Sequence, residues 1–199
     1  MKRTLINYLG LLGMVSLLSY TAAVIFSPLA YPDYHWLSQA VSDLSAEAAS
    51  SRTLWNQLSA LYMPCGIVCC TVNCIAVAGK YNKMLRLGVY LFALMNWVTA
   101  VGYAMFPLTD AGTPNGFQNI MHLVVTGAVV ALSILALVLM ICGGCFQRQC
   151  RSLGFWAGAA LFLMILGAVG VNLLSRAYFG LAERFSTFAA VGFNAVLGI

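Results

Sequence analysis

Charged side chains are what this sequence has least of. Only 8% of its residues are Asp, Glu, Lys or Arg and 62% are hydrophobic, whereas about a quarter of an average soluble domain is charged. A water-soluble fold of 199 residues could not bury that much apolar surface. The scarcity of charge therefore excludes the soluble globular and disordered classes. The net charge of +5 is not a nucleic-acid signal either, because basic residues in a membrane protein set its topology.

Six apolar segments are long enough, or nearly so, to cross the roughly 30 Å hydrocarbon core of a bilayer. They cover residues 5–28, 54–79, 84–106, 117–142, 153–175 and 181–199. Lys2 and Arg3 precede the first segment as in a signal peptide, but the apolar run is long and no convincing cleavage site follows it. We interpret it as a retained helix. The sequence predicts an all-α fold, a single six-helix transmembrane domain over residues 1–199.

Acidic and basic residues separate between the loops that connect these segments. Seven of the ten basic residues precede the first segment or lie in or beside the second and fourth loops: Lys2, Arg3, Lys80, Lys83, Arg86, Arg148 and Arg151. All five acidic residues lie in or beside the other loops: Asp33, Asp43, Glu47, Asp110 and Glu183. The positive-inside rule places the basic loops in the cytoplasm. We therefore expect a multi-pass protein of the cell inner (plasma) membrane with both termini cytoplasmic.

The long outer loop, residues 29–53, is predicted to contain an amphipathic helix. Trp36, Leu37, Val41 and Leu44 fall on one stripe of a helix of about three turns, and polar residues lie largely opposite. Such a helix would lie on the outer surface or fold over the bundle as a lid. The alternative is a simple connector packed on the helix ends.

The outer side also carries most of the residues suited to chemistry. His122 lies inside the fourth segment, where an ionisable group is costly and faces the bundle or water; it is either functional or satisfied by a neighbouring helix. Arg176, Glu183 and Arg184 flank the last loop, where they form an ion pair between the last two helices or bind an anionic headgroup. The candidate ligand-binding residues are Asp43, Asp110, His122, Arg176, Glu183 and Arg184.

Ser42, Asp43 and His122 have the residue types of a nucleophile, an orienting acid and a base. They are the candidate catalytic residues if the protein is an intramembrane lipid hydrolase. Two histidines in total cannot supply a three-histidine metal site, and the Cys142-Gly-Gly-Cys145 pair has only half the ligands that zinc needs. We expect no metal site and no cofactor.

Polar and small residues also occur within the apolar segments. Asparagines lie in five of them, and hydrogen bonding between helices is their default role: Asn7, Asn73, Asn96, Asn172 and Asn194. Gly154, Gly158, Gly167 and Gly170 in the fifth segment permit close packing, either within the chain or between protomers.

The outer-side motifs resemble a known family. Residues 34–45 (YHWLSQAVSDLS), residues 106–110 (FPLTD) followed by His122, and residues 180–185 (GLAERF) are similar to a family of bacterial six-helix membrane proteins, domain of unknown function nine-nine-eight. A more distant similarity is to the Frag/DRAM/Sfk group, linked to lipid organisation and autophagy. The resemblance covers nearly the whole chain. It implies a fold and an outer functional face, since the family has no established activity.

Three functions remain open from the sequence. The first is a non-enzymatic membrane protein that binds a lipid or small amphiphile at its outer mouth. The second is the lipid hydrolase, and the third is a structural or assembly subunit of a membrane complex. The expected partners are membrane lipid and a second copy of the chain or another membrane protein, with no nucleic acid.

Overall fold

The computed structural model describes residues 4–109 and 116–199, and the α-helices in these ranges are eight in number. Their bounds are α1 Leu5–Gly10, α2 Leu12–Phe26, α3 Arg52–Leu58, α4 Tyr62–Val77, α5 Lys83–Met105, α6 Phe117–Phe146, α7 Arg151–Leu173 and α8 Phe179–Leu197. No β-strand occurs in the described ranges. The prediction of an all-helical membrane bundle is confirmed.

Within the described part of the chain, five helical stretches are long and apolar enough to cross a membrane: Leu5–Ala30, Arg52–Val77, Lys83–Met105, Phe117–Phe146 and Arg148–Leu173. Each begins and ends within a few residues of a segment predicted from hydropathy. The sixth predicted segment corresponds to α8, which has 19 residues and carries Glu183, Arg184 and Asn194. Because of these polar residues, α8 is not apolar enough to be counted among the five stretches, although it packs in the bundle with them.

The six long helices form a closed ring. Consecutive neighbours in contact are α2–α4, α4–α5, α5–α6, α6–α7 and α7–α8, and α8 returns to α2. The main core lies inside this ring, where Phe92 of α5 meets Phe193 of α8 edge to face at 5.2 Å between ring centroids. Loops rich in acidic residues lie at one end of the ring, the acidic end, and loops rich in basic residues lie at the other, the basic end.

Glycines bring the helices of this ring into close contact. Gly144 of α6 packs on Gly154 of α7, and Gly167 of α7 packs on the α8 backbone at Ala182. At the basic end, Gly10 contacts Gly198. The close packing predicted for the fifth segment therefore takes place within the chain at these positions. Gly158 is different, because a Cβ added there would meet nothing within 4 Å.

The loop between α2 and α3 does not contain the predicted amphipathic helix. Residues 36–39 form turns, and Ser42–Ser45 is a single 3₁₀ turn. Half of the expected apolar stripe is buried, with Val41 at 4% and Leu44 at 0% exposure, while Trp36 and Leu37 are exposed. The physical reason is that α8 binds the backbone N–H and C=O groups of this loop. Those groups are then not free to form the internal hydrogen bonds of a helix.

Candidate functional site

Arg184 in the second turn of α8 fastens the loop between α2 and α3, which we call the acidic-end loop, to the bundle. Its side chain is buried, with 4% exposure. Nη1 donates to the carbonyl oxygens of Trp36 (2.8 Å), Gln39 (3.1 Å) and Gly180 (2.7 Å), and Nη2 donates to the Tyr34 hydroxyl (2.6 Å). The guanidinium also lies 4.4 Å from the centroid of the Trp36 ring, a cation–π contact. A positive charge is therefore held between α8 and the loop.

Two more contacts complete this fastening. The Glu183 carboxylate accepts a hydrogen bond from the Val41 backbone amide at 2.7 Å, and the Leu181 amide donates to the Leu37 carbonyl at 3.0 Å. A Cβ on Gly180 would overlap the Gln39 carbonyl oxygen, so only glycine lets the loop approach this closely. Adjacent residues of α8 thus hold the loop, Glu183 as a hydrogen-bond acceptor and Arg184 as a donor.

Asp43 is buried under the same loop. Its exposure is 8%, and Oδ2 accepts a hydrogen bond from the Ala40 amide at 3.1 Å. Burial raises the pKa of the Asp43 carboxyl above its ordinary value, against the lowering effects of the Ala40 hydrogen bond and of Arg184. Burial likewise raises the pKa of Tyr34 to about 12, so its hydroxyl stays neutral and accepts from Arg184.

His122 lies in the second turn of α6 and reaches across to the end of α5. Its Nδ1 donates to the Phe106 carbonyl oxygen at 2.9 Å, because a carbonyl oxygen can only accept. The imidazole also lies against the Tyr103 ring, at 4.7 Å between centroids. His122 is thus satisfied by a neighbouring helix, one of the two roles predicted for it, and it presents one face to the bundle.

Tyrosines from three helices, which the sequence did not single out, converge on the same region. Tyr20 of α2 contacts Tyr62 of α4 at 4.8 Å between ring centroids and lies beside Thr187 of α8. Tyr103 of α5 shares a hydrogen bond with Thr126 at 3.0 Å. We call Tyr20, Tyr62, Tyr103, Glu183 and Thr187 the polar cluster.

Glu183 supplies the carboxyl group of the polar cluster. It lies close enough to interact electrostatically with both Tyr20 and Tyr103, and Tyr62 interacts in the same way with Tyr103. The surrounding protein removes most of the hydration of Glu183, yet part of its surface and part of Tyr62, Tyr103 and Thr187 stay accessible. The polar cluster is therefore mostly, but not completely, covered by the surrounding protein.

A family model described as "Protein of unknown function (DUF998)" matches residues 14–199. The chain belongs to this family. No curated protein and no solved structure matches it. The DUF998 match covers every element that forms the site, from α2 to α8, so the loop fastening and the polar cluster are built within the family's own domain.

In this DUF998 member the remaining predicted residues are less closely involved. Arg176 is exposed at the start of a 3₁₀ turn before α8. An ion pair with Glu183 is not its role, since the one ion pair within 4 Å in the described ranges joins Arg52 to Glu47 at 3.6 Å. Asp110 lies outside the described residues, so its predicted place in the site stays a prediction.

The candidate catalytic residues of the DUF998 chain are Ser42, Asp43 and His122, and the last two are engaged elsewhere. Asp43 and His122 each bond to a backbone group. In residues 4–109 and 116–199 these three side chains are not hydrogen-bonded to one another, and the same ranges hold no group of three His, Cys, Asp or Glu able to bind a metal. Their catalytic role stays a prediction.

Replacing Asp43 with asparagine is expected to stabilise the DUF998 protein as the pH rises. Because the pKa is raised on folding, the cost of the buried charge is absent below the ordinary value of 3.8 and appears as the pH rises through the folded-state pKa. The asparagine side chain keeps an oxygen for the Ala40 amide without that charge. We expect a higher free energy of unfolding than in the wild type near neutral pH and no such gain below the ordinary pKa, measured as Tm in detergent across pH.

The matched control is Glu47→Gln, an exposed carboxylate with 43% side-chain exposure. An exposed ion pair contributes little, so its Tm difference should stay nearly flat with pH. An Asp43→Asn variant that is less stable at every pH would mean that the attraction of Arg184 outweighs burial, and would contradict the prediction.

Proposed function

We propose that this multi-pass protein binds a lipid or small amphiphile at its acidic end, which faces outward from the inner (plasma) membrane while both termini are cytoplasmic. The observation that carries the proposal is the polar cluster beneath a fastened loop. A carboxyl group and three tyrosines from different helices lie near one another, and the helices around them are apolar. That combination suits a molecule with a polar head and an apolar body.

The outer surface of the loop supports the same proposal. Trp36 and Leu37 are exposed, at 43% and 47%, and Leu29 before them is 82% exposed. An open depression between the loop and the start of α8 is lined by residues 34–38 and Ala177. Aromatic residues at this height suit the headgroup layer, so an amphiphile in the membrane would meet apolar side chains before the polar cluster.

Aromatic rings pack against the polar cluster on the α2 side. Tyr20 contacts Trp55 at 6.0 Å and Phe188 at 5.4 Å between ring centroids, both edge to face. Val24 and Val191 pack in the same cluster of buried residues. The polar head of a ligand would therefore lie against hydroxyls and a carboxylate, and its first methylene groups against these rings.

Native mass spectrometry of the purified protein tests the proposal. We expect retained lipid in the wild type, and at least about tenfold weaker retention, equivalent to about 1.4 kcal/mol, in Glu183→Gln and His122→Ala. The glutamine side chain keeps an oxygen for the Val41 amide, so the loop stays fastened. The control is Glu47→Gln, which removes an exposed carboxylate at the same end. Absence of lipid from the wild type, or equal lipid in all variants, would overturn the proposal.

The two alternatives have less support. The hydrolase needs Ser42, Asp43 and His122 within reach of one another, while the last two bond to separate stretches of backbone. A stoichiometric metal in the same purified sample would instead favour it, with His122 and the acidic-end carboxylates as ligands. An assembly subunit would contact its partner through the α7 glycines, but Gly154 and Gly167 already pack against α6 and α8 of the same chain. Of the α7 glycines, Gly158 is the one without such a contact.

A further inference from the structure

The basic end of the bundle carries cations that no acidic side chain of the chain can reach. Its described basic residues are Lys80, Lys83, Arg86, Arg148 and Arg151. All five acidic residues of the sequence occur in or beside the loops of the other end. Helix α5 alone, with 23 residues, separates the two ends by roughly 35 Å. A side-chain ion pair at the basic end therefore needs a partner from outside the chain.

Arg86 differs from the other cations of this end in its burial. The other four are exposed, whereas Arg86 is half-buried, and its Nε is buried with no hydrogen-bond partner in residues 4–109 and 116–199. A buried donor without an acceptor is costly, and more so when it belongs to a charged group. The positive-inside rule is satisfied by exposed cations. It does not explain a half-buried guanidinium without a counterion.

Arg86 lies on the side of α5 that meets α4. Ala93 and Trp97 follow it on the same face of α5, about two and three turns further along. The Trp97 indole Nε1 donates to Thr71 Oγ1 of α4 at 3.3 Å, which identifies this face as the one beside α4. Arg86 thus lies at the basic end of the line along which α4 and α5 meet.

The outer surface along this line is apolar. Trp97 is exposed there, as is Tyr90, one turn beyond Arg86. On the α4 side Ile75 is exposed one turn from Thr71 toward the basic end. We call the surface formed by Thr71, Ile75, Tyr90 and Trp97 the α4–α5 seam. In a bilayer such a surface contacts acyl chains, since lipid tails are as apolar as these side chains.

The first turn of α5 also favours an anion. Lys83 and Arg86 both lie within the first four residues of this helix, where the helix dipole disfavours cations and favours negative charge. No acidic residue occupies that turn. The Asn82 side chain caps the Leu85 amide at 2.9 Å but is neutral. The positive charge at the start of α5 is therefore left uncompensated by the described part of the chain.

We propose that the α4–α5 seam binds an anionic phospholipid from the leaflet at the basic end, with its phosphate on Arg86 and Lys83. A guanidinium binds phosphate oxygens through a planar set of N–H donors, so the phosphate supplies the acceptor that Arg86 Nε lacks. An acyl chain of the same lipid lies against Tyr90 and Trp97. The site is at the opposite end of the bundle from the polar cluster and does not depend on the amphiphile proposed there.

The chemistry of the site selects a head with net negative charge. Lys80, in the loop before α5, adds a further exposed cation at this end. A zwitterionic head brings an ammonium cation toward these side chains together with its phosphate, whereas an anionic head does not. Each basic residue near a membrane surface contributes to the attraction of anionic lipid. The apolar seam beside the cations is what favours a lipid over a free phosphate ion.

Quenching of tryptophan fluorescence by brominated lipids tests this proposal with the full-length protein in phosphatidylcholine vesicles. A small, equal fraction of the lipid is replaced by phosphatidylglycerol or phosphatidylcholine with bromine on its acyl chains. We expect the phosphatidylglycerol to occupy the seam at least about fivefold more often, a difference of about 1 kcal/mol. Trp97 is one of four tryptophans, so the excess quenching by phosphatidylglycerol should disappear in Trp97→Phe.

Arg86→Gln and Arg151→Gln form a matched pair of variants. Each removes one cation from the basic end, but Arg151 is exposed at the start of α7, two places further round the ring. We expect Arg86→Gln to lose the excess quenching and Arg151→Gln to keep it. Glu183→Gln, the variant that tests the acidic end, should keep it as well, so the two proposals fail separately. If Arg86→Gln does not fold, the wild type and Trp97→Phe still decide.

Equal quenching by the two brominated lipids would overturn the inference and leave the basic residues as topology signals alone. An excess that falls equally in Arg86→Gln and Arg151→Gln would overturn it as well, because the attraction would then come from diffuse surface charge. An excess that persists in Trp97→Phe would place the lipid on another helix. Loss of the excess on addition of millimolar inorganic phosphate would show a site for a free phosphate group and would contradict lipid binding.

Discussion

Replacing Arg184 with alanine is expected to lower the free energy of unfolding by about 3 kcal/mol and to release the loop between α2 and α3. The substitution removes the four hydrogen bonds that Nη1 and Nη2 make to Trp36, Gln39, Gly180 and Tyr34. It also leaves the Asp43 and Glu183 carboxylates without the one buried cation near them. Thermal unfolding in detergent and the rate of chymotrypsin cleavage within residues 34–37 would measure the two effects.

Two variants separate this fastening from a general effect of charge. Arg176→Ala removes an exposed cation from the same end and should change Tm little. Arg184→Lys keeps the charge but replaces a planar fork by a single ammonium, which cannot reach acceptors on both sides, so an intermediate loss is expected. An Arg184→Ala protein as stable and as resistant to cleavage as the Arg176→Ala protein would show that the loop is held by other contacts.

Gly167→Ala has the second largest expected effect, a loss of about 2 kcal/mol. A Cβ at this position would overlap Ser186 Oγ and lie 2.6 Å from the Ala182 carbonyl oxygen and 2.8 Å from the Ser186 amide nitrogen. Because two of these atoms belong to the α8 backbone, the helices must move apart. Since α8 carries both Glu183 and Arg184, the fastening of the loop should weaken together with the α7–α8 contact.

Gly158→Ala on the same helix provides the control for Gly167→Ala. An added Cβ there meets nothing within 4 Å, and alanine is the better helix former, so the free energy of unfolding should stay the same or rise slightly. A Gly158→Ala protein that loses as much stability as Gly167→Ala would place the effect in an interface between copies of the chain. The oligomeric state of both variants in mild detergent would then decide.

The spans were predictable because the bilayer imposes one simple requirement on each of them. A helix must offer about 20 apolar residues, and this constraint is local to the segment. The starts of α5 at Lys83 and α6 at Phe117 therefore lie within one residue of the hydropathy boundaries. The sixth helix was recognisable from its apolar residues in the same way, although Glu183 and Arg184 in its first two turns bind the loop between α2 and α3.

The fold of the acidic-end loop could not be read from its own residues. The amphipathic pattern around Trp36 and Val41 is compatible with a helix, but Glu183 and Arg184, more than 140 residues further along the chain, bind the backbone groups that such a helix needs. Tertiary hydrogen bonds of this kind override a local preference. Nothing in the loop sequence specifies their donors and acceptors.

The candidate site was predictable only where a residue type is unusual for its surroundings. Charges at Glu183 and Arg184 and the imidazole of His122 stand out in an apolar chain, so the sequence singled them out. Tyr20 and Tyr103 do not, since tyrosine is ordinary near the end of a membrane helix. Only the ring closure that brings α2, α5 and α8 together turns those tyrosines into neighbours of a carboxylate.

The contact between α2 and α8 has a consequence for biosynthesis. The loop after α2 leaves the ribosome more than 140 residues before the side chains that fasten it, Glu183 and Arg184. Domains whose contacts join distant parts of the chain complete their folding late. Until α8 is inserted, the backbone around Trp36 has no α8 donors, and that segment should be open to proteases or to a chaperone throughout translation.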